Sequence, residues 1–211
     1  MTSLPNPWTA AERKALAKLR TPGHVQAFLD ATAYSSEAIY RSPRSVLRDR
    51  KAHCFDGAML AAAVLERLGF EPLLVDLRAV RDDDHVLAVY RREGAWGAVA
   101  KSNFEGLRCR DPDNRSLREL AMSYFEGYFN TERERTLRSV SRPVRLRSFE
   151  RLEWRTEDDA MNAIADALDA SPHAPLLTRS QVARLGLVDA RTWEGHTVGT
   201  DFAGTWKPSK G

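Results

Sequence analysis

The chain of 211 residues carries 43% apolar residues and a formal charge of +3, enough for a packed domain and too balanced to mark a nucleic-acid binder by charge alone. No apolar run approaches the roughly 18–20 residues of a membrane span, because the run at 58–65 is broken by Glu66 and Arg67. The start, MTSLPNPWTAAERK, lacks the basic and apolar blocks of an export signal, so the expectation is a soluble, cytoplasmic protein whose two cysteines are thiols.

In chain order, residues 8–20 place Ala11, Leu16 and Leu19 among charges, with Thr9 as N-cap and Thr21-Pro22-Gly23 as the stop. This predicts a short amphipathic helix. A second helix follows in GHVQAFLDATAY, with Val25, Phe28 and Leu29 at helical spacing. The next segment, YRSPRSVLRDRKAH, reads as a basic connector containing Pro43 and leading to Cys54. From Asp56 to Leu68 nearly every residue is a good helix former, and Gly69 suits the helix end because it takes positive φ without a Cβ clash. Small and apolar residues on most sides predict a buried central helix.

Past Pro72 the pattern changes to strand formers. LLVDLRAV, HVLAVY and WGAVAKSNF predict three strands, the last two joined by a turn at RREGA. Turn residues in DPDNRS then introduce a helix through Leu117, Leu120, Ala121, Tyr124, Phe125 and Tyr128, read as core packing. Residues 131–151 hold seven arginines and Pro143 and read as an exposed connector. A helix at 156–169, capped by Thr156, and a short one in TRSQVARLG complete the chain. The fold class expected is α+β: a Cys-bearing central helix on a small, mainly antiparallel sheet, with additional C-terminal helices. Residues 1–130 form the core with its N-terminal helices, and 131–211 a basic connector and helical extension packed on the same domain.

Cys54 stands at the start of the buried helix, where the positive end of the macrodipole favours a thiolate. His85 opens the alternating strand, on the face shared with Leu87 and Val89, and is a base from a different element. His53 adjoins Cys54 and is expected to point elsewhere. An unpaired cysteine is commonly a core residue, and a histidine at a strand start is commonly structural. Cys109, in LRCRDP, has no such setting.

The order of these elements is more specific than either residue. A helix containing VQAFLDATAY precedes a Cys that opens a buried helix ending in Leu-Gly-Phe-Glu-Pro. A strand, a strand opened by His, and a strand with Trp96 follow. Across about residues 24–104, roughly 40% of the chain, this resembles the transglutaminase-like cysteine enzymes, relatives of the papain-like fold. The resemblance implies Cys54 as nucleophile, His85 as base, and an Asp a few residues after the strand Trp to orient the imidazole. That position falls near Ala100, and no carboxylate occurs in WGAVAKSNF until Glu105. Asn103, Asp111 or a backbone carbonyl can replace it, since the histidine needs only an acceptor for its N–H, and Asn103 is the candidate adopted. Lys101 nearby is a cation that would oppose an imidazolium.

The implied chemistry is acyl transfer on an amide or peptide bond through a thioester, with the backbone N–H of Cys54 as one oxyanion donor. Gln26 and Tyr34 are candidates for the second. A peptide or protein substrate is implied, with no cofactor, no membrane partner and no oligomeric state assigned. The alternative is a non-catalytic module of the same fold that binds peptide or protein. RDDDH at 81–85 is a poor metal site, because consecutive residues diverge and no His-x-x-x-His or Cys-x-x-Cys accompanies it. The arginine-rich stretches raise a nucleic-acid alternative without a recognised motif, and no lysine directly follows a glycine as a P-loop requires.

Overall fold

The computed structural model describes residues 7–208. The first six residues of the stretch read for export signals therefore lie outside the described ones. Helix α1 (Ala10–Leu16) begins at Thr9, whose hydroxyl and the Glu12 carboxylate form a reciprocal capping box. Helix α2 (Pro22–Asp30) leads into a two-residue strand β1 (Ala33–Tyr34), which pairs in parallel with β2 (Lys51–Ala52). Between them lies helix α3 (Pro43–Asp49), in the stretch expected to be a connector. Pro43 is not an interruption there. Ser42 caps the helix, and Pro43 occupies its first turn, where a missing N–H costs nothing.

Helix α4 (Cys54–Arg67) is the central helix, buried from Phe55 to Leu65. Gly69 ends it at φ +92°, a conformation that favours glycine. Strands β3 (Leu73–Ala79), β4 (His85–Arg92) and β5 (Ala95–Val99) follow as an antiparallel meander, and β6 (Arg110–Asn114) extends it beyond β5. Helix α5 (Leu117–Met122) is shorter than expected, and a 3-10 turn at Phe125–Gly127 replaces its second half. Leu120, Ala121, Tyr124 and Tyr128 are nevertheless buried as core.

The expected connector at 131–151 contains sheet strands. Strands β7 (Leu137–Ser141) and β8 (Val144–Arg145) both lie antiparallel along the free edge of β3. Leu137 and Val140 face inward, while Arg138 and Ser139 between them are half-buried. Residues 146–152 form a 3-10 segment, and helix α6 (Ala160–Asp169) starts at Asp159, three residues beyond the expected Thr156 cap. Strand β9 (His173–Pro175) pairs with β7, and helices α7 (Arg179–Val182) and α8 (Ala190–His196) complete the chain, α7 beginning on a Thr178 capping box. The larger sheet has seven strands, six of them in the order β6-β5-β4-β3-β7-β9 with β8 also on β3, and all its pairs are antiparallel. The fold is thus mixed α+β with a mainly antiparallel sheet.

Both faces of that sheet are covered. Leu74, Val86, Ala88 and Tyr90 join α4, α2 and α6 in one core. Leu73, Val75, Leu77, Leu87 and Val89 join Leu120, Tyr124 and Tyr128 in the other. The two-residue alternation of a strand makes this division. It explains why β3 and β4 read as nearly continuous apolar runs.

Candidate functional site

Cys54 is the first residue of α4, directly after its N-cap His53. Its side chain lies against the first residues of β4, with Sγ 3.7 Å from the Asp84 carbonyl oxygen. The backbone N–H groups of Val86 and Phe55 are directed at the sulfur. This place exists because β5 stops pairing at the Ala88–Val99 step, so the start of β4 is open where the helix N-terminus arrives.

His85 faces the core containing Leu87 and Val89. Its ring meets Tyr124 and Tyr128 edge-on, each at 6.4 Å, and its Nε2 lies 2.8 Å from the Leu107 carbonyl oxygen. A carbonyl only accepts, so Nε2 carries the proton and, in the neutral ring, Nδ1 is the basic nitrogen. Cys54 and His85 line one cavity of about 50 Å³. That is room for one or two waters.

Burial dominates the electrostatics. It pushes the Cys54 thiol up to about 11 against the two backbone N–H groups, and pulls His85 down to about 4 against its bond to Leu107. The site therefore holds a neutral thiol and a neutral imidazole at pH 7. Asp82, on the same cavity, is raised to about 6 by burial although Thr136 donates to it at 2.6 Å.

The acceptor of the His85 N–H is the Leu107 carbonyl, and the Asn103 side chain is bonded to the C-terminal segment. The Asn103 amide nitrogen donates to the Asp201 carbonyl at 2.7 Å, and its oxygen accepts from the Asp201 N–H at 2.9 Å. Asn103 lines the Cys54 cavity but holds the C-terminal segment. Asp111 is exposed on β6. No side-chain signal could have marked Leu107, because its contribution is a peptide carbonyl available from any residue.

Gln26 is structural. It donates to Asp30 at 2.8 Å and clasps the Ala100 backbone, donating to its carbonyl at 3.0 Å and accepting from its N–H at 3.2 Å. Tyr34 remains at the site, lining the Cys54 cavity, and burial raises its phenol. Lys101 is directed away from the imidazole, donating to the Leu29 and Thr32 carbonyls at 2.9 and 2.5 Å at the end of α2. His53 does point elsewhere, its Nε2 lying 3.2 Å from the Ile39 carbonyl oxygen.

Sequence reasoning missed the C-terminal residues of the site. Gly204, Thr205 and Trp206 line the same cavity as Cys54 and His85, together with Tyr128 and Phe129. Both cysteines are free. Among the described residues, no group of three or more His, Cys, Asp or Glu is placed to hold a metal ion, and no helix is long and apolar enough to cross a membrane. No protein-family model matches the chain, and no curated protein matches it.

Proposed function

We propose that this is a cysteine acyl-transfer enzyme with a transglutaminase-like core, acting on an amide or peptide bond through Cys54 and His85. One observation carries the reading: a cysteine opening a buried helix shares a small cavity with a histidine whose tautomer is fixed by Leu107, which leaves Nδ1 with the lone pair a base needs. The thiol proton passes to Nδ1 as sulfur attacks the carbonyl carbon. The N–H of Cys54, at the positive end of α4, faces the developing oxyanion. Collapse expels the amine, which takes the proton from Nδ1, and leaves a thioester on Cys54. Water or a second amine then releases the acyl group.

The test uses 4-nitrophenyl acetate with intact-mass detection. The expected result is a burst of nitrophenol with one acetyl group on Cys54, followed by steady release, and neither in Cys54→Ala. His85→Gln should slow the acylation by about a hundredfold, the lower range for loss of a general base. Nitrophenol release identical in the parent and Cys54→Ala would remove the enzyme reading. A non-catalytic peptide-binding module would then be the better account of the same cleft.

A further inference from the structure

We infer that residues 199–207 are an internal occupant of the Cys54 cleft, and that their order of small residue, aromatic and base names the class of peptide the cleft takes. The inference deepens the proposed function and rests on the cleft being a substrate site. Gly204, Thr205 and Trp206 border the 50 Å³ cavity on one side of the thiol. They also border an adjoining cavity of about 400 Å³ on the other, where Lys207 joins Glu37, Cys54 and Asp83. The segment and Cys54 therefore border the same two cavities.

Its seating resembles that of a bound peptide more than that of a loose tail. The Asn103 side chain bonds both backbone groups of Asp201, a recognition of main chain that does not depend on the residue held. Thr131 donates to the Trp206 carbonyl at 3.3 Å. At Thr205 the segment leaves a 3-10 turn (Phe202–Gly204) with extended backbone, φ −97° and ψ 155°. At Gly204 a Cβ would meet the Tyr34 ring at 3.2 Å, so the position opposite Tyr34 takes only a small residue without displacement. Lys207 comes to a rim that holds Asp83 and Glu37, and since Glu37 is already paired with Arg41 and Lys51, Asp83 is the acid that suits a base at the corresponding position of a ligand.

Tethering gives the segment an effective concentration in the millimolar range, so a peptide in trans competes poorly until the tether is loosened. Cys54 is half-buried with the segment in place. Displacing the segment admits more solvent to Cys54 and His85, and both groups then move back toward their ordinary titration ranges.

The experiment is timed alkylation of the full chain with a bulky maleimide, read peptide by peptide, with exposed Cys109 as internal reference. In the parent Cys54 should label far more slowly than Cys109. Asn103→Ala and Gly204→Leu should each raise the Cys54 rate by about tenfold or more, the scale of one or two lost hydrogen bonds, with Cys109 unchanged. In Gly204→Leu, a synthetic peptide DFAGTWKP should slow Cys54 labelling again, and DFAGTAEP should not. Equal labelling of the two cysteines in the parent, or no acceleration in either variant with melting temperature preserved, would overturn the internal occupant. Acceleration without protection by DFAGTWKP would overturn the peptide class. Labelling reads access and not turnover, so an opened but inert Cys54 would sink the enzyme proposal while leaving the occupancy of the cleft standing.

Discussion

The proton on His85 Nε2 is fixed by a neighbour with no acid–base chemistry of its own. Leu107 offers a carbonyl at 2.8 Å, and the imidazole has 4% of its surface exposed, so the neutral ring with a basic Nδ1 is the form the fold stores. Storing it has a consequence for stability. His85 is pulled from 6.5 to about 4, so between these values the unfolded chain binds the extra proton, and stability is lost as pH falls through that window. His85→Gln keeps a donor toward Leu107 and removes the titration. Urea unfolding at pH 7 and pH 4.5 should show a smaller acid loss in the variant, by about 2–3 kcal/mol. The comparison with the parent isolates His85 from Asp76 and Asp82, which are raised by burial and act in the opposite direction. An identical acid loss in the two proteins would show that His85 is not held neutral. At this scale the placement of Cys54 at a helix start and of His85 at a strand start was legible, because residue type and position on the element are read directly from the sequence. The group that orients His85 was not, since backbone carbonyls leave no mark in a sequence, and Asn103 drew attention as the nearest amide.

Elements position these residues through close approaches that only some sequences permit. One turn into α4, Gly57 faces Lys101, two residues past the end of β5, so closely that a Cβ would lie 2.2 Å from Lys101 Cβ and 3.4 Å from its Cα. The obstacle lies at the base of the side chain, where no rotamer change relieves it. Gly57→Ala should therefore push α4 from the sheet and destabilise the protein by about 1–3 kcal/mol, more than offsetting the better helix propensity of alanine. Chemical denaturation measures the cost, and a gain in stability would contradict the packing described. The elements that sequence reading missed are those whose charge obscured their pattern. In β7, LRSVS places Leu137 and Val140 inward on a register with Ala79 and Leu77, but the surrounding arginines resemble solvated surface. In α3, Ser42 followed by Pro43 is a legible helix start that was read as a break. The misplaced start of α6 has a related cause: Asp158, before that helix, instead accepts from the Ser42 N–H and the Ser45 hydroxyl and secures α3.

Across the whole molecule, the last third of the chain closes the β3 edge of the sheet and then returns to the cleft, so the attachment of β9 governs where the C-terminal segment begins. A buried polar pair makes that attachment. His173 Nε2 lies 2.9 Å from Asp76 Oδ2, while its Nδ1 lies 2.7 Å from the Ser171 carbonyl oxygen and must carry a proton there. The second proton of the contact sits between the imidazole and the carboxyl. Asp76 is raised to about 6, first by burial and then by the charge of Asp84, with His173 opposing both. Removing His173 leaves a buried carboxylate with that opposition gone, and Asp76 rises further. His173→Ala should then cost about 3 kcal/mol at pH 8, where Asp76 must either stay charged or take up a proton. The cost should be smaller at pH 5, where protonation is readily available. Asp76→Asn added to His173→Ala should recover part of the loss at pH 8, a coupling that unfolding of the four proteins of the cycle measures directly. A penalty independent of pH, or strict additivity of the two substitutions, would mean that β9 is held by its ladder with β7 alone.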